Sequence, residues 1–203
     1  YPGDLGAFFR GELTRDAFLA FLAPEKRGKT WWMIDMALRA VKSRRRVAFF
    51  SVGDLTEVQM LRRMYIAVSG HPWKASTILY PDKFRYIENM GWVNDRVQRV
   101  FDQDLSWQIS KRSCDRLLKR FVRSKHSYFK LFTAPAGTFS VDDIRGALSR
   151  TDDEFWTPDV IMVDYADILC PKRGLSDMRE RINNIWMDLR ALSQERKALV
   201  VTA

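Results

Sequence analysis

Five short apolar runs constrain this chain more than any other feature: AFLAFLA (17–23), VAFFSV (47–52), YFKLF (128–132), VIMVD (160–164) and ALVVT (198–202). They have strand length and are nearly continuous rather than alternating, the pattern of strands buried on both faces of a sheet. Most are separated by stretches long enough for a helix, so the order implies an α/β fold with a mainly parallel sheet flanked by helices. A chain of 203 residues with 46% apolar composition can bury such a core, and residues 1–203 are expected to form a single domain.

Helix signals fall between these runs. One helix should begin near Gly28 and carry Trp31, Ile34, Leu38 and Val41 at helical spacing. Thr56 is placed to cap a second, ahead of EVQMLRRMYIAV. Ser140, with Asp143 three residues on, has capping-box spacing for a third. The last, MRERINNIWMDLRALSQE, aligns Ile182, Ile185, Leu189 and Leu192. Residues 70–127 mix basic and aromatic residues without a clean period and are expected to form a helical excursion, around WVNDRVQRVFDQDL and ISKRSCDRLLKRF.

The segment AFLAFLAPEKRGKTWWMIDMAL reads as strand, tight loop, helix. Its loop, Ala23, Pro24, Glu25, Lys26, Arg27, Gly28, Lys29 and Thr30, ends where unpaired amides and the helix dipole favour an anion. Lys29 can extend to the β and γ phosphates of ATP, and the Thr30 hydroxyl can complete a magnesium shell. The usual phosphate-loop pattern, G-x-x-x-x-G-K-[ST], has glycine where this chain has Ala23. Alanine keeps the bend if its φ is not strongly positive. The bland reading is a basic helix start.

Two carboxylates accompany the loop. Asp164 ends the VIMVD run, at the carboxyl edge where open α/β sheets bind ligands, and could support magnesium opposite Thr30. Asp54 follows VAFFSV and could orient a water for attack on the γ phosphate; Glu57 is its local rival, and a turn role the plain alternative.

Other residues limit the remaining classes. Cys114 and Cys170 form no CxxC pair, so neither a disulfide framework nor a zinc knuckle is signalled. His71 and His126 show no ligand spacing. No run has the length of a membrane span and the first residues do not read as a secretory leader, so a cytoplasmic protein with no membrane partner is expected. A start at Tyr1 and an end within an apolar run suggest a piece of a longer protein. The formal charge of +9 favours polyanions without choosing among them. Trp73, Tyr80, Phe84 and Tyr86 lie among basic residues, where stacking on bases competes with ordinary packing. Arg179 and Arg181 suit either an interface or a solvated helix face.

In APEKRGKT, FFSVGDLTEVQMLRRM, YFKLFTAPAGTFSVDDIRGALSR, IMVDYADIL and RINNIWMDLRALSQERKALVVTA, taken in that order, the chain resembles the ATPase domain of DnaB-like replicative helicases, in the RecA-like P-loop superfamily. The resemblance implies a RecA-like core and a magnesium-dependent, DNA helicase-like ATPase motor, either a main replication helicase or an accessory ATPase of phage or plasmid type. Lys29 and Thr30 would take the family's phosphate and magnesium positions, Asp164 its second magnesium-supporting position, and Asp54 its catalytic glutamate position. It also implies single-stranded DNA as a partner and a hexameric ring or filament for the intact protein, with the polar sensor and arginine finger beyond Ala203. Asp54 in place of glutamate, Ala23, and the bulky Trp31 and Trp32 depart from the family. An alternative is a nucleotide-regulated DNA- or protein-binding module with little hydrolysis; a small-molecule kinase is a weaker third reading.

Overall fold

The structure is a computed structural model that describes residues 3–53, 55–118, 127–171 and 177–203. The elements are α1 (Gly3–Phe8), β1 (Phe18–Ala20), α2 (Lys29–Lys42), β2 (Val47–Gly53), α3 (Glu57–Ser69), β3 (Ser76–Ile87) and β4 (Gly91–Phe101). There follow α4 (Trp107–Leu118), β5 (Phe129–Pro135), α5 (Val141–Asp153), β6 (Val160–Asp164), a 3-10 turn (Ala166–Ile168), α6 (Met178–Arg196) and β7 (Leu199–Thr202). They fall into two compact units, Tyr1–Leu61 with Phe121–Ala203, and Arg62–Arg120.

The first unit is built on a five-stranded sheet in the order β1-β7-β6-β2-β5. Every pairing in it is parallel, as the unbroken apolar runs require. All of its carboxyl ends therefore meet at one edge. β1 is shorter than its apolar run, three residues against the seven of 17–23. On one face, Phe50, Val52, Ile161, Val163 and Val200 pack with Ile144 and Leu148 of α5 and Leu189 and Leu192 of α6. Phe50 also stacks on Phe132 of β5, with ring centroids 4.5 Å apart. Successive strand residues point to opposite faces, so Val47 and Phe49, both fully buried, face the other way; α2 packs against β2 and β6.

The expected helices form, with adjustments. Met33, Ile34, Met36, Ala37 and Val41 are the buried residues of α2, whereas Trp31 is 41% exposed. Thr56 Oγ1 accepts from the Gln59 amide, and the Gln59 side chain accepts from the Thr56 amide. Ser140 and Asp143 form the full capping box. Along α6, Ile185, Leu189 and Leu192 are buried and Ile182 half-buried. Among the described residues, no helix is long and apolar enough to cross a membrane.

The second unit corrects the expectation of a helical excursion over 70–127. Residues 76–101 form an antiparallel hairpin, and only α4 is helical in the part described after it. The segment 92–105 misleads because Val93, Val97, Val100 and Phe101 have helical spacing. Pairing with β3 overrides that period. The turn is fixed locally: Asn89 (φ 70°) and Gly91 (φ 75°) take left-handed conformations that these two residues adopt most readily. At the base of the hairpin, the Tyr80 hydroxyl donates to the Gly70 carbonyl at 3.0 Å and the His71 ring meets Phe101 edge-on at 4.6 Å.

Candidate functional site: a loop and helix entrance at the sheet edge

The loop leaves β1 at the carboxyl edge. Its first residue stays in the ladder, the Phe21 amide donating to the Thr202 carbonyl at 3.0 Å. Residues 22 to 27 are exposed. Two left-handed residues bend the chain back toward the helix, Lys26 (φ 60°) and Gly28 (φ 84°), while Ala23 is not among the positive-φ residues. The alanine at the motif's first position therefore needs no glycine-only conformation.

Gly28 is the N-cap of α2 and supplies no side-chain cap. Its carbonyl accepts the first helical hydrogen bond, from Trp32 N at 3.1 Å. A Cβ built on Gly28 would meet nothing within 4 Å, so the space beside that carbon is open. By helix geometry the first amides of α2 have no intrahelical acceptor. Trp32 turns toward the start of the loop, its ring stacked on Phe21 with centroids 6.2 Å apart.

Asp164 closes β6 at the same edge and is 6% exposed. Ala20 and Val163 both pair with Thr202 of β7, so β1 and β6 end nearly level, two strand spacings or about 10 Å apart. Lys29 connects the loop to this strand: its Nζ lies 5.8 Å from the centroid of the Tyr165 ring, immediately after Asp164. The Asp164–Tyr165 peptide is cis. Thr202 Oγ1 donates to the Val163 carbonyl at 2.8 Å, tying the end of β7 to β6.

The structure thus brings Gly28, Lys29, Thr30 and Asp164 to one edge of one unit. Asp54 lies outside the described residues, but its neighbour Gly53 ends β2 at that edge. Gly53 has φ 149°, and a Cβ there would come within 2.5 Å of Ile168 Cδ1. Glu57 is exposed in the first turn of α3. Tyr165, Thr202 and Gly53 were not singled out from the sequence. An aromatic directly after a strand-ending aspartate was the available signal for the first; the other two depend on neighbours far along the chain.

Elsewhere the candidates divide. His71 Nδ1 lies 2.8 Å from the Pro72 carbonyl, and His126 is outside the described residues. No cluster of three potential metal-ligating His, Cys, Asp or Glu residues occurs among the described residues. The Arg62 guanidinium sits 4.0 Å from the Trp73 ring centroid and the Tyr80 hydroxyl is held by the Gly70 carbonyl, whereas Phe84 and Tyr86 are each 66% exposed.

Against solved structures, the chain matches a DnaB-like replicative helicase, described together with its interactions with primase, at a TM-score of 0.63 and 15% identity, over 94% of this chain and 40% of that one. It matches a second solved structure, an ATPase domain, at a TM-score of 0.60 and 16% identity, over 93% of this chain and 57% of that one. The chain has the fold of DnaB-like helicase ATPase domains. At these identities the fold is what is shared, and the chain spans well under two thirds of either structure's length. No family model and no curated protein matches the sequence. In this α/β frame, the segment APEKRGKT stands between β1 and α2, and Asp164 ends a strand two places away.

Proposed function

We propose that the chain is a magnesium-dependent ATPase module whose turnover is coupled to single-stranded DNA. The observation that carries the reading is the entrance to α2: a left-handed Gly28 with open space at its Cβ position, followed by Lys29 reaching toward the residue after Asp164. Main-chain amides and the positive end of the helix dipole suit the β and γ phosphates. Lys29 adds a mobile cation, and the Thr30 hydroxyl and Asp164 carboxylate are oxygen donors of the kind magnesium takes. Magnesium would supply charge neutralisation at the phosphate oxygens. Asp54, next in sequence after Gly53, would accept a proton from the attacking water.

The intact protein is proposed to assemble as a ring or filament, as the resemblance implies. Asp54 is one carbon shorter than glutamate, which favours one second reading: a nucleotide-regulated DNA- or protein-binding module with slow hydrolysis.

The test is ATP hydrolysis by the intact protein, with and without oligo(dT) and with and without EDTA, in wild type, Lys29→Ala and Asp54→Ala. Lys29→Ala should lower turnover by roughly 100-fold or more, the scale expected when a group stabilising transition-state charge is removed. Asp54→Ala should retain binding of a fluorescent ATP analogue and lose most turnover. Wild-type turnover in the Lys29 variant would end the ATPase reading. Tight nucleotide binding without turnover in the wild type would favour the regulated module.

A further inference from the structure

The hairpin spends its apolar residues where its own unit does not need them. Directly paired residues share a face of a two-stranded ladder, and the face alternates along each strand. The pairs Tyr86↔Trp92, Phe84↔Asn94, Pro81↔Arg96, Leu79↔Gln98 and Thr77↔Val100 therefore lie on one face. On it Trp92 is 73% exposed, Phe84 and Tyr86 66%, Val100 60% and Leu79 57%. The opposite face carries buried Phe101, half-buried Tyr80 and Val93, the Arg85–Asp95 ion pair at 3.0 Å and one exposed aliphatic residue, Val97 at 51%, but no exposed ring.

We propose that the exposed face of the β3–β4 hairpin is a stacking platform for single-stranded DNA. Three rings, Phe84, Tyr86 and Trp92, cluster toward the turn, with Tyr86 and Trp92 edge-to-face at 5.8 Å. Phe84 and Tyr86 are same-face neighbours on one strand, about 6.8 Å apart along it, twice the ~3.4 Å spacing of stacked bases. Exposed Arg96 shares the face and supplies a cation for phosphate. The charge agrees: Arg62–Arg120 has twelve Lys and Arg against six Asp and Glu, hence +6 of the chain's +9 in less than a third of its length. That surplus attracts a polyanion and opposes docking of a second, equally basic copy. Rings on a basic support bind single strands irrespective of sequence.

The proposal extends the DNA-coupled reading above, but the binding step needs no nucleotide, so the two can fail separately. Anisotropy of fluorescein-labelled oligo(dT), titrated with the intact protein in the absence of ATP, measures the platform alone; basal ATP hydrolysis without DNA is measured in parallel. The Phe84→Ser, Tyr86→Ser, Trp92→Ser triple variant should bind roughly 10- to 100-fold more weakly, from the worth of one or two stacked bases, with basal turnover unchanged. Trp92→Phe, which keeps a ring, should stay close to wild type. Arg96→Glu, which leaves all three rings and guards against misfolding of the triple variant, should weaken binding several-fold and flatten its salt dependence.

Wild-type affinity in both the triple and Arg96 variants overturns the proposal. So does a triple variant that loses self-association in sedimentation while holding oligo(dT) normally, which would assign the face to a second copy. Stronger hairpin-dependent binding of oligo(U) than of oligo(dT) overturns the choice of DNA. Hairpin-dependent oligo(dT) binding by a protein without ATPase activity upholds the platform and removes only the ATPase reading.

Discussion

β2 and β3 are both rich in apolar residues, yet the first is buried along six of its seven residues and the second has no buried residue at all. In β2, Val47, Phe49 and Phe50 are fully buried; helices cover both faces, and hydrophobic burial alone accounts for the choice of residue. In the hairpin, Phe84, Tyr86 and Trp92 point outward, so packing within the unit does not explain them. Contiguous exposed apolar surface of this kind marks an interaction site. The sheet records what the fold needs, and the hairpin records what the protein meets.

Substitutions sharpen or break this contrast. The largest expected effect is Phe50→Ala, which removes a fully buried ring stacked on Phe132 and should cost about 3–5 kcal/mol of unfolding free energy by denaturant titration. Gly53→Ala should come next, at about 1–3 kcal/mol, because φ 149° is hostile to a side chain and the new Cβ meets Ile168. Ser140→Ala should cost about 1 kcal/mol, the usual worth of an N-cap.

That cap also has a pH signature. Donation from the Ser140 hydroxyl and then its amide holds the Asp143 carboxyl below its ordinary value. A carboxyl whose pKa is depressed by folding adds stability that is complete above its unfolded value and is lost as pH falls through the folded one. Asp143→Asn should therefore make stability less steep in acid, read from thermal melts below about pH 4. The smallest effect should be Trp92→Ala, roughly 0.5 kcal/mol in the same denaturant titration, since the ring is exposed and its main neighbour is Tyr86. A cost for Trp92 near that of Phe50 would show that the hairpin face is core, and the comparison would collapse.

Much of the first unit was legible from local chemistry. Continuous apolar runs revealed strands, Ser140 and Thr56 marked helix starts, and APEKRGKT marked the loop, because each signal involves residues within one turn or one strand of each other. The candidate site was legible as a set of residues: Lys29, Thr30 and Asp164 stand at one edge because a parallel sheet puts all its strand ends there. Tyr165 beside Lys29, and Ile168 against Gly53, were not legible, since those contacts join segments more than a hundred residues apart.

The hairpin shows the limit most clearly. Asn89 and Gly91 supply the turn, and the helical spacing of Val93, Val97, Val100 and Phe101 is the pattern that misleads. A strand with apolar residues on both faces loses the alternation that identifies it, and here one of those faces is left to solvent. By itself, then, the sequence determined the strands of the sheet, the capped helix starts and the tight loop before α2, all of which follow from short-range sterics, hydrogen bonding and burial. Tertiary structure decided the strand order β1-β7-β6-β2-β5, the neighbours of Lys29, and the pairing that turned 76–101 into a hairpin. The first two depend on contacts between distant segments, which no local pattern encodes; the hairpin is short-range, but strand pairing rather than the local apolar period decided it.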